Sequence, residues 1–223
     1  IVVDAGPGVE LFRKGDAVWY AGSITRPGTN SEFHLVDERI VGAMPKSIGF
    51  AEAAALPLTA ITAWEMLFDR LDIRKPVPGA ANAVLIIGGA GGVGSIAIQL
   101  VKALTKVKVI ATASRPDTVA WVKSLGADHV VDHSRPLAPE VAALGIGAPG
   151  FVFSTNQSDR HFDQIVELIA PQSRFGLIDD PDAIDVRKLK RKSVSTHWEL
   201  MFTRSMFETE DMIEQHRLLD EVS

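Results

Sequence analysis

Apolar and polar positions follow two patterns along the chain, and the pattern changes near residue 50. Two helix-type segments, 50–56 and 58–71, come first and are separated by Pro57. Beyond them, a short apolar run followed by an amphipathic segment recurs, which predicts strands alternating with helices. The predicted strands are 83–87, 107–112, 129–132, 151–154, 173–178 and 194–198, and the predicted helices are 95–106, 116–125, 139–143, 160–169 and 206–222.

Six strands alternating with helices predict an α/β fold, a doubly wound parallel (Rossmann) sheet with helices on both faces. Residues 1–45 differ, because short apolar stretches alternate there with glycine and proline turns. They predict strands at 17–21, 32–36 and 39–43. We therefore expect a partial β-rich portion at the N-terminal end, too short to fold alone.

A glycine-rich turn joins the first strand of the repeat to the helix that follows. Gly89, Gly91 and Gly94 satisfy the spacing G-x-G-x-x-G between an apolar strand and an amphipathic helix, the context that dinucleotide binding requires. The first glycine permits the tight turn, the second lets the backbone approach a pyrophosphate, and the third lets the helix pack on the strand. Because the first amides of a helix favour an anion, we expect a dinucleotide here.

The end of the second strand of the repeat bears on which dinucleotide binds. A site that prefers NAD places an acidic side chain about 20 residues after the last motif glycine. This chain has Ser114 and Arg115 there, a hydroxyl and a guanidinium that suit a 2′-phosphate. The alternative is that Arg115 is an ordinary exposed residue, and Asp117 is a nearby carboxylate. We expect NADPH, with NADH the less favoured cofactor.

Composition excludes several classes of partner. The formal net charge is −5, so nothing indicates a nucleic-acid or acidic-membrane partner, and the basic run 188–192 is interpreted as a solvated loop or helix end. No apolar run approaches the roughly 20 residues that span a bilayer, and no signal peptide begins the chain. The chain has no cysteine, which fits a cytoplasmic protein without disulfides.

Six further stretches are distinctive beside the glycine turn: FRKGDAVWYAG, EFHLVDERIVG, FAEAAALPLTAITAWEMLFDRL, SLGADHVVDH, LIAPQSRFGLIDDP and HWELMFTRSMFETEDM. Together they resemble the medium-chain dehydrogenase/reductase superfamily, in its quinone-reductase-like branch, and within that branch the zinc-type alcohol dehydrogenase-like proteins. The resemblance implies that residues 1–57 are the C-terminal portion of a GroES-like catalytic domain. Residues 58–223 are then an NAD(P)-binding domain without its final segment, and the chain is expected to be a fragment.

The resemblance also implies roles for individual residues. Thr62 is expected to reach the nicotinamide, although helix capping is an equal alternative for it, as strand-end capping is for Ser154. Where many relatives have a tyrosine near the ribose or its phosphate, this chain has His133, whose protonated imidazole could bind phosphate. The complete expected cofactor set is Thr62, Gly89, Gly91, Gly92, Val93, Gly94, Ser114, Arg115, His133, Ser154, Ile178 and Asp179.

Zinc is not expected in this part of the protein, despite the name of the group. Zinc-dependent relatives have a cysteine ligand at the position that matches Ala55, and a four-cysteine lobe after the Gly-Asp turn. Zinc favours thiolate and imidazole ligands, and the six histidines are scattered along the chain.

The resemblance implies an NADPH-dependent oxidoreductase that transfers hydride to a quinone or an α,β-unsaturated carbonyl without zinc. An alcohol or carbonyl dehydrogenase and a non-catalytic NADPH-binding protein are the alternatives. No catalytic residue is assigned, since Tyr20, the single tyrosine, is read as structural. The expected partners are a small-molecule substrate and, through pairing of the edge strand 194–198, a second copy of the chain.

Overall fold

The computed structural model describes residues 1–223, which form two compact units. Unit 1 consists of residues 1–62 and 200–223, and unit 2 consists of residues 63–199. In chain order the elements are β1 (Val18–Trp19), β2 (Gly42–Ala43), α1 (Phe50–Ala54), α2 (Pro57–Trp64), β3 (Ala81–Ile87), α3 (Gly92–Leu104), β4 (Lys108–Thr112), α4 (Pro116–Ser124), β5 (His129–Val131), α5 (Leu137–Ala142), β6 (Pro149–Ser154), α6 (Ser158–Leu168), β7 (Arg174–Leu177), β8 (Ser195–Trp198), α7 (Thr203–Phe207) and α8 (Glu214–Val222).

Unit 2 is built on one six-stranded sheet in the order β5-β4-β3-β6-β7-β8. Every neighbouring pair of strands is parallel, which confirms the predicted doubly wound sheet. Strands of such a sheet are apolar on both faces because helices cover both, and residues 83–87 of β3 are almost fully buried. The chain reverses its direction of winding between β3 and β6, so a crevice opens at the carboxyl ends of these two strands.

One face of this sheet carries a continuous apolar core under α5 and α6. Phe162 of α6 and Phe175 of β7 lie at its centre, with ring centroids 5.9 Å apart. Leu85 and Val152 of the two central strands belong to the same cluster and are completely buried. Burial of each such side chain stabilises the fold by about 2 kcal/mol, so this core holds the carboxyl ends of the strands in place.

The predicted helix 58–71 is replaced by two kinds of helix. The α-helix α2 ends at Trp64, and Glu65–Arg70 form a π-helical turn, shown by the hydrogen bond from the Leu71 N–H to the Met66 carbonyl. The wider turn accompanies complete burial of Met66 and Leu71. Apolar spacing alone does not distinguish a π-turn from an α-turn, so the prediction missed this change.

One of the predicted strands in the N-terminal part is wrong, and another is shorter than predicted. Residues 32–36 have no regular structure, and Phe33 and Leu35 are 73% and 74% exposed. The predicted strand 39–43 is reduced to β2, which pairs antiparallel with β1. Before it, Glu38–Ile40 form a 3-10 turn because the Asp37 carboxylate accepts a hydrogen bond from the Arg39 N–H. Local capping by a side chain has overridden the apolar pattern.

The predicted helix 206–222 is also interrupted, and its second half lies in unit 1. The chain leaves α7 at Glu208, whose φ is +45°, and α8 begins at Glu214. There α8 packs on β2, since a Cβ on Gly42 would lie 2.5 Å from the Leu219 Cβ. The Ala43 N–H also donates to the Asp220 carboxylate. The sequence-based boundaries placed these residues in the dinucleotide domain, whereas their contacts group them with residues 1–62. None of the helices has the length and apolar character needed to cross a membrane.

Candidate cofactor site

The glycine turn, residues 88–94, connects β3 to α3 at the carboxyl edge of the sheet. Gly88 has φ +79°, a conformation that residues with a Cβ rarely adopt. Its N–H donates to Thr112 Oγ1 at 2.9 Å, which ties the turn to the end of β4. The Gly91 N–H donates back to the Gly88 carbonyl at 3.0 Å. The turn is therefore held by its own backbone and by the neighbouring strand.

The glycines differ in what a side chain would meet. A Cβ on Gly94 would lie 2.3 Å from the Gly88 carbonyl oxygen and 2.7 Å from the Gly89 Cα, and a Cβ on Gly89 would lie 2.9 Å from the Ala111 Cβ. A Cβ on Gly91 would lie 3.3 Å from the same carbonyl. Close packing of the helix on the strand thus requires glycine at position 94, as the motif predicts. At Gly91 a Cβ would meet only one atom, at 3.3 Å, so packing alone does not require glycine there.

An open cleft of about 510 Å³ lies beside this turn, at the carboxyl ends of the central strands. No side chain caps the start of α3, so the first amides of the helix are available to an anion. The predicted residues that line the cleft are Gly91, Gly92, Val93, Arg115, His133 and Ile178. Of the remaining predicted residues, Gly89, Gly94, Ser114, Ser154, Asp179 and Thr62 do not line it.

Three side chains after β4 and β5 form a group that we call the polar rim: Ser114, Arg115 and His133. Arg115 and His133 line the cleft, and Ser114 is in contact with His133. Arg115 Nε lies 3.4 Å from the Asp117 carboxylate, and both side chains are more than two thirds exposed. Ser114 Oγ lies 3.2 Å from His133 Nε2. Asp117, the carboxylate that could have indicated NADH, is therefore engaged by Arg115, and a guanidinium remains at the end of β4.

Two predicted residues, Ser154 and Asp179, are instead held inside the protein. Ser154 is completely buried, and Ser158 Oγ lies 2.7 Å from its Oγ and 2.5 Å from an Asp179 carboxylate oxygen. The second Asp179 oxygen accepts from the Ser158 N–H at 2.8 Å. These contacts tie the loop after β7 to the start of α6. Both side chains therefore have partners within the protein, and a direct cofactor contact by either residue stays a prediction.

Thr62 lies in unit 1, and its hydroxyl has a partner within its own helix. Its Oγ1 donates to the Leu58 carbonyl at 2.8 Å, and the residue is buried. A hydrogen bond within the helix was the alternative to a cofactor role for this hydroxyl. Contact of Thr62 with a nicotinamide stays a prediction.

The sequence reasoning missed several residues that line the cleft. They follow the same strands as the predicted ones and comprise Gly88, Ala90, Thr112, Ala113, Thr118, Thr155 and Asn156. Thr155 donates to the Ile87 carbonyl at 2.9 Å, and a Cβ on Gly88 would lie 2.2 Å from the same hydroxyl. Gly88 and Ala90 belong to the glycine turn, and Thr112, Ala113, Thr155 and Asn156 lie at or directly after the ends of β4 and β6, a position that could have found them. Thr118 lies within α4 and has no such signal.

The basic run 188–192 is accounted for by contacts within unit 2. Lys192 Nζ donates to the Glu167 and Ile169 carbonyls at 2.7 Å each, at the end of α6. Burial lowers the pKa of Lys192. Lys188 pairs with the Asp163 carboxylate at 2.5 Å. A lysine at a helix C-terminus satisfies free carbonyls and the helix dipole.

Tyr20 has a polar partner in unit 1. Its hydroxyl lies 3.2 Å from His34 Nδ1, while His34 Nε2 lies 2.9 Å from the Pro27 carbonyl. Since a carbonyl only accepts, His34 donates from Nε2 and accepts the Tyr20 proton at Nδ1. Burial raises the pKa of Tyr20. The tyrosine is held as part of the local structure, in line with the structural interpretation.

The family that the sequence resembles includes zinc-dependent enzymes, so the question is whether side chains of this chain could bind zinc. The structure groups no three His, Cys, Asp or Glu side chains in a way that could hold a metal ion, and the chain has no cysteine. Ala55, at the matched ligand position, ends α1 and offers no ligand atom. The residues of this chain therefore do not fit a zinc site, and no step is assigned to zinc.

Comparison with known proteins now decides the family. Residues 92–215, which include most of the cleft, match the family model described as zinc-binding dehydrogenase. The chain belongs to this family. Its membership places it in the medium-chain dehydrogenase/reductase superfamily, as the motifs indicated.

Individual relatives support the same assignment. The chain is 40% identical over 220 residues to a zinc-type alcohol dehydrogenase-like protein of Staphylococcus aureus, covering 98% of this chain and 65% of that protein. It is 69% identical to a Rhizobium etli crystal structure described as of the zinc-dependent alcohol dehydrogenase type, with a TM-score of 0.98 over 100% of this chain and 65% of that one. A quinone oxidoreductase of Pseudomonas syringae has 26% identity and a TM-score of 0.76, covering 96% and 65%. The chain thus spans about two thirds of the length of these relatives.

Proposed function

We propose that this chain is the cofactor-binding part of an NADPH-dependent oxidoreductase that reduces a quinone or an α,β-unsaturated carbonyl. The observation that carries the proposal is the cleft itself. A glycine turn and an uncapped helix start form one side of it, and an arginine at the end of β4 forms the other. The first side suits a pyrophosphate and the second suits a 2′-phosphate.

Each side of the cleft has residues of the right chemistry for its part of the cofactor. The amides of Gly92 and Val93, in the first turn of α3, face an anion with the positive end of the helix dipole. Gly91 has no Cβ to keep a phosphate from the backbone. Arg115 carries a permanent charge for the 2′-phosphate. Ile178 supplies apolar surface on the wall formed after β7.

Bound NADPH supplies the hydride, and the protein supplies binding and orientation. The glycine turn would hold the pyrophosphate through backbone amides, and it is itself fixed by hydrogen bonds to Thr112 and to its own carbonyl. When a reactant is bound in a fixed orientation, part of the entropy cost of the reaction is met in the binding step, so the barrier of the chemical step is lower. No side chain is assigned as proton donor.

The substrate class comes from the quinone-reductase-like resemblance, and the name of the Pseudomonas syringae relative agrees with it. Zinc independence is part of the proposal, because this chain lacks a fitting ligand set. A reductase of this type needs no metal to polarise a carbonyl if the electron-poor carbon accepts hydride directly.

The test is NADPH oxidation by the full-length protein with a quinone, an enone and a simple aldehyde, before and after dialysis against a chelator. We expect turnover of the quinone or the enone, unchanged by the chelator. Turnover of the aldehyde alone, lost on chelation, would support the zinc-type dehydrogenase instead. Tight NADPH binding without turnover of any substrate would support the non-catalytic alternative.

We also propose that two copies of the chain pair through β8. This strand ends the sheet, so its outer edge has unpaired backbone groups, and Trp198 on it is 54% exposed. Pairing of the two edges about a two-fold axis would extend the sheet. Sedimentation at micromolar concentration should give a dimer, and replacement of Thr196 by proline should give a monomer with the same fold. A wild-type monomer would contradict the proposal.

A further inference from the structure

The contact between Ser114 and His133 links two elements of the cleft. Ser114 follows β4 and is exposed, between Ala113 and Arg115, which both line the cleft. His133 follows β5 and lines the cleft from its partly buried position. Ser114 Oγ and His133 Nε2 are 3.2 Å apart. Each atom can be donor or acceptor, so the direction of this bond decides what the serine can offer a ligand.

The other ring nitrogen of His133 decides the direction. His133 Nδ1 is buried and has no hydrogen-bond partner. In a neutral imidazole one nitrogen carries the proton and the other accepts. If Ser114 donated to Nε2, the proton would sit on Nδ1, and a buried N–H would be unpaired. Nδ1 has no partner in either tautomer, and of the two cases a buried N–H without a partner is the rarer in proteins. The favoured tautomer therefore has the proton on Nε2, and the ring donates to Ser114 Oγ.

This direction leaves the Ser114 hydroxyl proton free. The serine accepts from His133, so its own O–H points away from the ring, at an exposed position beside Arg115. We propose that His133 is a positioning residue that orients the Ser114 hydroxyl as a donor to the 2′-phosphate of NADPH. The proposal rests on the proposed function and deepens it, because the imidazole acts here through the serine and not as a cation on the phosphate.

The inference makes the two residues one unit, and this can be measured. A hydrogen bond to a charged group contributes on the order of a tenfold change in affinity. We expect Ser114→Ala to weaken NADPH binding about tenfold. His133→Phe should weaken it by a similar factor, while the double variant should be no weaker than Ser114→Ala. His133→Gln keeps an N–H donor on a side chain of similar reach and should restore binding to within about threefold.

The measurement is the dissociation constant of NADPH by fluorescence titration, with NADH as the second ligand. Ser124→Ala and His129→Gln are matched controls outside the cleft, and thermal melting checks that each variant is folded. Nitrogen-15 NMR of the cofactor-free protein should show the His133 proton on Nε2. This readout does not depend on turnover.

Several results would overturn the inference. His133→Gln as weak as His133→Phe, losses that add in the double variant, or a proton on Nδ1 would each do so. Additive losses would show that His133 contacts the phosphate by itself. These outcomes differ from failure of the proposed function, which would show as wild-type protein that does not bind NADPH or binds NADH more tightly. That result would overturn both.

Discussion

The two sides of the cofactor cleft differ in how they are built. The glycine turn acts through backbone atoms. At Gly88, Gly89 and Gly94 a Cβ would clash with a neighbouring atom, so these positions require glycine. The polar rim acts through three side chains, one of which, Arg115, is 69% exposed. The first side is rigid because it is part of the junction of strand and helix. The second side can be exchanged residue by residue without altering the sheet.

This difference suggests a division of labour within the cleft. The pyrophosphate is common to NADH and NADPH, whereas the 2′-phosphate belongs to NADPH alone. A change in the glycine turn should therefore affect both cofactors equally, and a change in the polar rim should affect NADPH selectively. Four substitutions test this division, from the largest expected effect to the smallest.

Gly94→Ala should have the largest effect. The new Cβ would lie 2.3 Å from the Gly88 carbonyl oxygen and 2.7 Å from the Gly89 Cα, so either the helix or the turn must move. We expect a loss of about 2–3 kcal/mol in stability and no measurable binding of either cofactor. Chemical denaturation and fluorescence titration measure the two effects. Gly8→Ala, which has open space around it, is the control and should behave like wild type.

Arg115→Ala should separate the two cofactors. It removes the permanent charge at the end of β4, so the dissociation constant for NADPH should rise about tenfold, while that for NADH stays the same. The difference should shrink as ionic strength increases, because the residue is exposed. Titration of both cofactors at low and high salt measures it. Equal losses for NADH and NADPH would contradict the proposed division.

Gly91→Ala should cause a moderate loss that is equal for both cofactors. The added Cβ would lie 3.3 Å from the Gly88 carbonyl, so the turn needs to shift by only a few tenths of an ångström. The methyl group would still project where a pyrophosphate approaches the backbone. We expect a loss of about 1 kcal/mol in binding, which is about fivefold, and an almost unchanged melting temperature. A loss for NADPH alone would place the 2′-phosphate at the turn.

Asp117→Asn should have the smallest effect, and it should strengthen NADPH binding where the other three substitutions weaken it. The carboxylate pairs with Arg115 at 3.4 Å on a highly exposed surface, and such pairs contribute about 0–1 kcal/mol. Without it the guanidinium is available to a phosphate, so NADPH binding should improve about twofold. NADH binding should stay the same. Weaker NADPH binding in this variant would show that Asp117 holds Arg115 in place for the cofactor.

Most of unit 2 could be predicted because its signals are local. Each strand is a run of apolar residues, and each helix has apolar residues at helical spacing. The glycine motif is recognised from its own six residues and from the strand and helix that flank it. Unit 1 was predicted less well for the same reason. Residues 32–36 look like a strand but have no partner strand, and an aspartate cap at Asp37 decides the backbone after them. The break at Glu208 comes with a left-handed backbone conformation, φ +45°, and with an ion pair between Arg204 and Asp211 on either side of it, and neither has a periodic signature in the sequence.

The site shows the same limit. Motif and spacing predicted the glycines, Arg115, Ser154 and Asp179 as cofactor residues, but they gave no sign that Ser154 and Asp179 are hydrogen-bonded to Ser158. The sequence placed Ser154 and Asp179 at the ends of strands, where the structure has them, but it did not indicate their hydrogen-bond partner. Hydrogen bonds between residues such as Ser158 and Asp179, 21 positions apart, have no periodic signature in a sequence.

The sequence by itself determined the order of strands and helices, the glycine turn and the replacement of an acidic residue by Ser114 and Arg115. These features depend on neighbouring residues or on steric rules that hold in any protein. Only the tertiary structure decided that Asp179 binds Ser158, that Ser154 faces inward, and that Ser114 contacts His133. The reason is physical: a hydrogen bond is set by distance and direction in space, and the fold brings those atoms together after local patterns have formed the elements.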